Sequence, residues 1–506
     1  MPIPSVFPLS PAYSKTQLTG LILGPVLFTL ILLFFSAQGL SPEGVAVLAS
    51  TVWIATWWVT EALPIPATAL LPIILLPATG ALDNVTVTSA YGDDIIFLFL
   101  GGFFIATAME KWNLHKRIAL SIIAFVGTST QRILLGFMLA TTFISFWVSN
   151  TAAVMMMVPM ALAVTTRVEH NLKNTAQAAE LPAFERALLF GVGYAGTAGG
   201  LAILTSTPPN IIMAGLAREM FGIDVTYFGW MIIGMPVSIV LVFCAWFYLG
   251  KIAFPMRLQH LPGGRAMIEK ERRELGPITF EEKAVTAVFV FTAFMWMTRS
   301  WIWTPLIPDL RDGMIAVLAS ILLFTIPARN GEGSAARLLT WKDSVKIPWG
   351  VLLLFGGGLA IAAGFRLSGL SDWIGSHLSV LEGLHILLII GSVTLFIQLL
   401  TEITSNTATA TMILPVVAAL AVALNVHPLA LMIPCAMAAS CAFMMPVSTP
   451  PNAIIFATDK LTIVEMVRVG FIITLISTVL IVLAAYFLLP LLWGLDLNAS
   501  IPMLGE

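Results

Sequence analysis

Apolar residues run through this chain in long blocks, not at the spacing of an amphipathic helix or a half-buried strand. Runs near 18–37, 43–60, 64–81, 94–111, 231–254, 282–303, 312–327, 347–366 and 464–492 are almost free of charge. A helix rises about 1.5 Å per residue, so roughly 20 apolar residues cross the hydrocarbon core of a bilayer. The blocks are therefore predicted to be membrane-spanning helices. Four further apolar segments, 131–166, 186–222, 386–424 and 428–458, carry polar or proline-rich centres and predict helices broken in the middle. The expected fold is an all-α polytopic membrane protein of about 11 transmembrane segments.

Basic residues test the map. With the N-terminus in the cytoplasm, Lys111, Lys116, Arg117, Arg132, Arg186, the 251–273 cluster and Arg329 to Lys346 fall inside, while Arg218, Arg299, Arg311 and Arg366 fall outside. That is the positive-inside asymmetry. It requires 131–166 and 386–424 to enter and leave on one side, as re-entrant hairpins opening inward and outward respectively. Irregular backbone at that depth is tolerated only inside protein or beside a water-filled cavity.

The sequence also repeats. Ser149-Asn150-Thr151-Ala152 recurs as Ser405-Asn406-Thr407-Ala408, and Gly101-Gly102 recurs as Gly357-Gly358, both 256 residues on. Ser206-Thr207-Pro208-Pro209-Asn210 recurs as Ser448-Thr449-Pro450-Pro451-Asn452. Two motifs duplicated in the same order, in halves of opposite orientation, form the inverted repeat of secondary transporters, whose sites lie where broken helices meet. A single Ser-Asn-Thr could be no more than a polar kink capping a helix; the duplication argues against that.

Each Ser-Asn-Thr is expected at a hairpin tip, and each Thr-Pro-Pro-Asn as a helix restart with threonine at the cap and proline in the first turn. Four helix N-termini would then converge, each worth about half a positive charge. Such a site suits a small dianion held by hydroxyls, amides and backbone N–H groups without a cationic side chain. The carbonyl ends of the preceding half-helices suit a small hard cation, with Ser145 and Thr401 one turn behind each motif.

At these residues the chain resembles the divalent anion/sodium symporter family of di- and tricarboxylate transporters. Trp57-Trp58-Val59-Thr60-Glu61-Ala62-Leu63-Pro64 and Thr401-Glu402-Ile403-Thr404-Ser405-Asn406-Thr407 resemble further family signatures. The resemblance implies a homodimer whose transport domain moves like an elevator against a scaffold. It places scaffold in 1–130 and in 255–385, the latter including a cytoplasmic loop. Transport domain halves fall at 131–254 and 386–493, and a tail at 494–506. It implies carboxylate contacts from Ser149, Asn150, Thr151, Ser405, Asn406 and Thr407, with Thr207, Pro208, Thr449 and Pro450 nearby. It implies one sodium site from Ser145, Ser149, Asn150 and the backbone at Ser206, and a second from Thr401, Thr404, Asn406 and the backbone at Ser448. Sodium is expected as the coupling ion, with no other cofactor. The location expected is an inner or plasma membrane, with the N-terminus cytoplasmic and the C-terminus outside.

Composition narrows the alternatives. Of 506 residues, 58% are hydrophobic and 10% charged, against about 25% charged in soluble domains; mean hydropathy is +0.95. A net charge of −2 supplies no field for nucleic acid. Cys244, Cys435 and Cys441 show no zinc spacing and read as buried thiols. The N-terminal apolar run lacks a small-residue cleavage site and reads as a retained first span. Gly191-Val192-Gly193-Tyr194-Ala195-Gly196 lies in an apolar helix, not after a strand, and reads as a packing face. The histidines have no metal spacing and are expected at the solvated surface. Glu402 is read as a structural hydrogen-bonding group and Glu61 as a helix-end residue. An intramembrane enzyme lacks its motifs here. The expected function is sodium-coupled transport of C4 dicarboxylates such as succinate, malate or fumarate. A sodium-independent dicarboxylate exchanger and a sulfate or tricarboxylate carrier are the alternatives.

Overall fold

A computed structural model describes residues 13–127, 129–172, 180–256, 264–329, 337–378 and 384–504. Among them, eight helices are long and apolar enough to cross a membrane: Lys15–Phe34, Asn84–Lys111, Asn150–His170, Tyr227–Ala253, Phe280–Trp303, Trp349–Leu367, Asn406–Ala423 and Ile463–Trp493. Shorter apolar helices include Asp312–Thr325, Ile386–Thr401 and Pro428–Ser440.

Local chemistry sets the helix starts. Ser14 with Gln17, Thr279 with Glu282 and Thr462 with Glu465 form reciprocal capping boxes, which satisfy orphan N–H groups at helix entry. His385 and His427 cap their helices by accepting from the N–H of Leu387 and Leu429. His427 is buried, so the surface role expected from the sequence does not hold there.

The segment 64–81 departs from the expected single span. Pro66, Pro72 and Pro77 interrupt it, and helices form at Ile65–Thr68 and Leu71–Ala78. Proline removes an N–H and clashes with the preceding turn. The break at 69–70 leaves pieces of four and eight residues, neither able to span by itself. Elements not foreseen include Leu114–Val126, packed on Thr130–Trp147, and Leu370–Leu378, packed on Asn406–Ala423.

Both predicted hairpins form. Thr130–Trp147 turns through Val148 and Ser149 into Asn150–Leu172, and Ile386–Thr401 turns through 402–405 into Asn406–Ala423. Both broken helices form as well. Leu181–Gly199 restarts as Pro208–Phe221, and Pro428–Ser440 restarts as Pro450–Phe456. The larger apolar core runs through these hairpins and broken helices, whereas a smaller one joins helices Pro42–Thr60, Leu71–Ala78 and Trp349–Leu367. The repeated glycines lie where helices touch. A Cβ on Gly358 would come within 2.6 Å of the Thr411 side chain, and one on Gly102 within 3.3 Å of Thr205.

Candidate functional site

The helix restarts are built alike. Asn210 Nδ2 donates to the carbonyls of Gly200 (2.9 Å) and Ile203 (3.0 Å), and Asn452 Nδ2 to those of Ala442 (3.2 Å) and Met445 (3.1 Å). Both asparagines are 0% exposed. A carbonyl stripped of its helical partner inside a membrane costs several kcal/mol, on the order of a lost buried hydrogen bond or more. The asparagine of each Thr-Pro-Pro-Asn therefore ties off the broken backbone. Ser206 Oγ adds a bond from the Ile203 N–H (3.1 Å) and one to its carbonyl (2.9 Å), and Ser448 Oγ donates to Met445 (2.7 Å).

The second loop has an anchor that the first lacks. The Glu402 carboxylate, 2% exposed, accepts from the N–H groups of Phe443 (2.6 Å), Met444 (3.0 and 3.1 Å) and Met445 (3.1 Å). It serves as the structural hydrogen-bonding group expected of it. Phe146 stands at the corresponding place in the first hairpin.

Each hairpin tip holds a cluster of oxygens. Ser145 Oγ lies 2.7 Å from Asn150 Oδ1 and 2.7 Å from the Gly196 carbonyl. Thr401 Oγ1 lies 2.8 Å from Asn406 Oδ1 and 2.9 Å from the Ala439 carbonyl. Each hydroxyl has one proton for two acceptors, so each cluster brings together more oxygen lone pairs than donors. A hard cation prefers such a donor set. The packing is tight: a Cβ on Gly200 would stand 2.7 Å from Asn150 Nδ2.

One cavity of about 520 Å³ unites the motifs. Ser149, Asn150, Thr151, Ser405, Asn406 and Thr407 line it, with Thr207, Pro208, Thr449 and Pro450, and with Ser206, Thr404 and Ser448. Ser145 and Thr401 sit fully buried behind it. Thr207 Oγ1 meets Ser440 Oγ at 3.1 Å, joining the first restart to the end of the second broken helix. The N-termini of Asn150–Leu172, Pro208–Phe221, Asn406–Ala423 and Pro450–Phe456 all reach the cavity; the last is only two turns long and contributes the weakest dipole. Among the described residues Glu61 is the one ionisable group in the lining. It ends helix Pro42–Thr60 in the left-handed region, φ 47°.

The lining includes Trp58 and Glu61 of one helix, Phe103 and Ala106 of another, and Val351 at the start of Trp349–Leu367. The cavity thus extends toward the end of the molecule where Lys111 pairs with Asp343 at 2.8 Å. Sequence reasoning did not find the carbonyls of Gly196 and Ala439, because a backbone oxygen leaves no mark in a sequence. Trp147 and Ile403, 256 residues apart, also enter the lining as an apolar pair just before each motif.

Known proteins agree with this architecture. The chain is 52% identical over 495 residues to the sodium-dependent dicarboxylate transporter SdcS of Staphylococcus saprophyticus, covering 97% of this chain and 95% of that one. It is 52% identical over 496 residues to SdcS of Staphylococcus aureus strain USA300, with the same coverage. Among solved structures, Neisseria gonorrhoeae MtrF, described within a class of antimetabolite efflux pumps, superposes with a TM-score of 0.57 at 13% identity, covering 95% of this chain and 96% of that one. The Alcanivorax borkumensis YdaH transporter gives 0.52 at 12% identity, covering 88% and 98%. These two share the fold. The model of the sodium:sulfate symporter transmembrane region matches residues 15–494, and the chain belongs to that family of membrane transporters.

Proposed function

We propose that this chain is a secondary transporter that moves C4-type dicarboxylates across a membrane together with sodium. The observation that carries the reading is the single cavity lined by both Ser-Asn-Thr tips and both Thr-Pro restarts. Among the described residues the lining contains no lysine or arginine. A dianion would be held by helix N-termini and by the hydroxyls and amides of Ser149, Asn150, Thr151, Ser405, Asn406 and Thr407, with Thr207, Pro208, Thr449 and Pro450 closing the sides.

Sodium would enter at the two oxygen clusters. Ser145, Ser149 and Asn150 would supply the first site with the Gly196 carbonyl, and Thr401, Thr404 and Asn406 the second with the Ala439 carbonyl. Ser206 and Ser448 would hold the loops alongside. Asn150 and Asn406 face both the cation cluster and the cavity, so a bound cation would fix the amide that the carboxylate meets. That shared side chain couples ion to substrate. Half of each repeat, 131–254 and 386–493, would move as one body within a homodimeric scaffold of 1–130 and 255–385. The end carrying Lys111 and Lys346 would face the cytoplasm, and the cavity here would be open to that side.

The deciding experiment is uptake into proteoliposomes. Succinate accumulation driven by an inward sodium gradient, without internal dicarboxylate, is the expected result. Uptake only against internal dicarboxylate, with or without sodium, would replace symport by exchange. Competition by sulfate stronger than by malate or fumarate would reassign the substrate.

A further inference from the structure

The ion pairs of this molecule sort by position. At the end toward which the cavity extends, the pairs among the described residues stay within one unit of the proposed division. Lys111–Asp343 and Arg117–Glu282 join scaffold to scaffold, while Arg186–Glu465 and Lys460–Glu185 join transport half to transport half. At the opposite end Arg299 pairs with Asp312 within the scaffold at 3.3 Å, while the pairs made by Arg218, Glu219 and Asp224 cross the boundary. Arg218 of the first broken helix meets Asp93, with Asp94 at 3.8 Å. Glu219 meets Arg366 at 2.7 Å, and Asp224 meets Arg299 at 2.7 Å. Three of the four basic residues that the sequence places outside are thus engaged across one seam.

The C-terminal segment overlies the same seam. The Leu504 N–H donates to the Met220 carbonyl at 2.8 Å, and its own carbonyl accepts from Arg366 at 3.2 Å. Arg366 therefore grips both the movable Glu219 and the tail.

We propose that this cluster is a latch that holds the carrier with its cavity open to the cytoplasm and must part before the site can reach the other side. The proposal rests on the two-unit reading above. Rigid movement of 131–254 against the scaffold would carry Arg218, Glu219 and Asp224 away from Asp93, Arg366 and Arg299 together. Apart from the buried Arg299, the paired side chains are part-exposed, so each pair contributes little alone. Acting in concert across one seam, they bias the resting population by about tenfold, the effect of a 1.4 kcal/mol difference.

The test is the sidedness of cysteine labelling. Val447, exposed in the cavity, is replaced by cysteine in a full-length chain whose three native cysteines are replaced by serine. The protein is reconstituted in one orientation and treated with a membrane-impermeant maleimide from each face. Labelling of V447C from the cytoplasmic face should predominate. Adding R366Q should raise labelling from the outer face about tenfold, as should truncation after Ser500. R366K should behave like its parent, and the charge exchange E219R/R366E should return the ratio toward it. If R366Q and the truncation both leave the ratio of the two rates within twofold, the latch is refuted. Failure of the underlying reading looks different. V447C without latch changes would then label from one face only, under every sodium and succinate condition, while uptake proceeds.

Discussion

Glu402→Gln isolates what one carboxylate does for the second half of the site. Oε1 accepts from Phe443 and Met444, and Oε2 from Met444 and Met445, at 2.6–3.1 Å, on a side chain 2% exposed. Glutamine keeps one oxygen and turns an amide NH₂ toward backbone donors. At least one buried N–H loses its acceptor, which costs about 1–3 kcal/mol. The remaining bonds lose charge assistance, roughly another 1 kcal/mol. The loop so loosened carries Ser448 and Thr449 and follows Ala439, whose carbonyl faces Thr401. If about 2 kcal/mol of the loss falls on the ion-bound state, sodium half-saturation rises about thirtyfold. The assay is initial succinate uptake against sodium concentration, paired with a thermal unfolding midpoint in detergent. A half-saturation within twofold of the parent protein, with an unchanged midpoint, would refute the anchoring role.

Other substitutions separate ligands from supports. Asn150→Ala and Asn406→Ala should each abolish uptake while leaving elution and helicity unchanged, because each removes an amide shared by cation cluster and cavity. Asn210→Ala and Asn452→Ala should instead lower the thermal midpoint, each freeing two carbonyls at about 1 kcal/mol or more per bond, and leave the order of preference among dicarboxylates intact. Gly200→Ala should cut uptake at least tenfold by pressing on Asn150 Nδ2, which would stand 2.7 Å from the added Cβ. If both proposed oxygen clusters take sodium, two ions with a dianion form a neutral load. Uptake rates should therefore change less than twofold under an imposed potential of about 100 mV, which would shift a singly charged step by about 2.3 kcal/mol.

The legible parts of this molecule are those that side chains encode. The duplicated Ser-Asn-Thr and Thr-Pro-Pro-Asn motifs announced both hairpins and both restarts, and they do line one cavity. The restart asparagines were legible as motif members but not as staples, since their partners are carbonyls of an irregular loop ten and seven residues upstream. The same holds for Gly196 and Ala439. Hydrophobicity misled at 64–81, where three prolines divide a run that composition alone reads as a span. It was silent at Leu114–Val126, whose Lys116 and Arg117 break the apolar block although the helix packs on the first hairpin.

The absence of a cationic side chain from the cavity bears on coupling. A fixed arginine would bind the dianion in every state and would remain charged after release, so the empty site would carry charge through the membrane. Here the lining is neutral apart from Glu61 at the mouth, and helix ends supply only partial charges. A dianion alone leaves the site strongly negative, and sodium alone leaves it positive. Burying either is costly in a medium of low dielectric. At a separation of roughly 6 Å and an effective dielectric of about 20, one sodium ion attracts a dianion by on the order of 5 kcal/mol. Only the fully loaded and the fully empty forms are then close to neutral, and only those two cross cheaply. Coupling on this view needs no dedicated gate: beyond the partial charges of the helix ends, an ion at the duplicated oxygen clusters would supply the positive charge that the substrate requires.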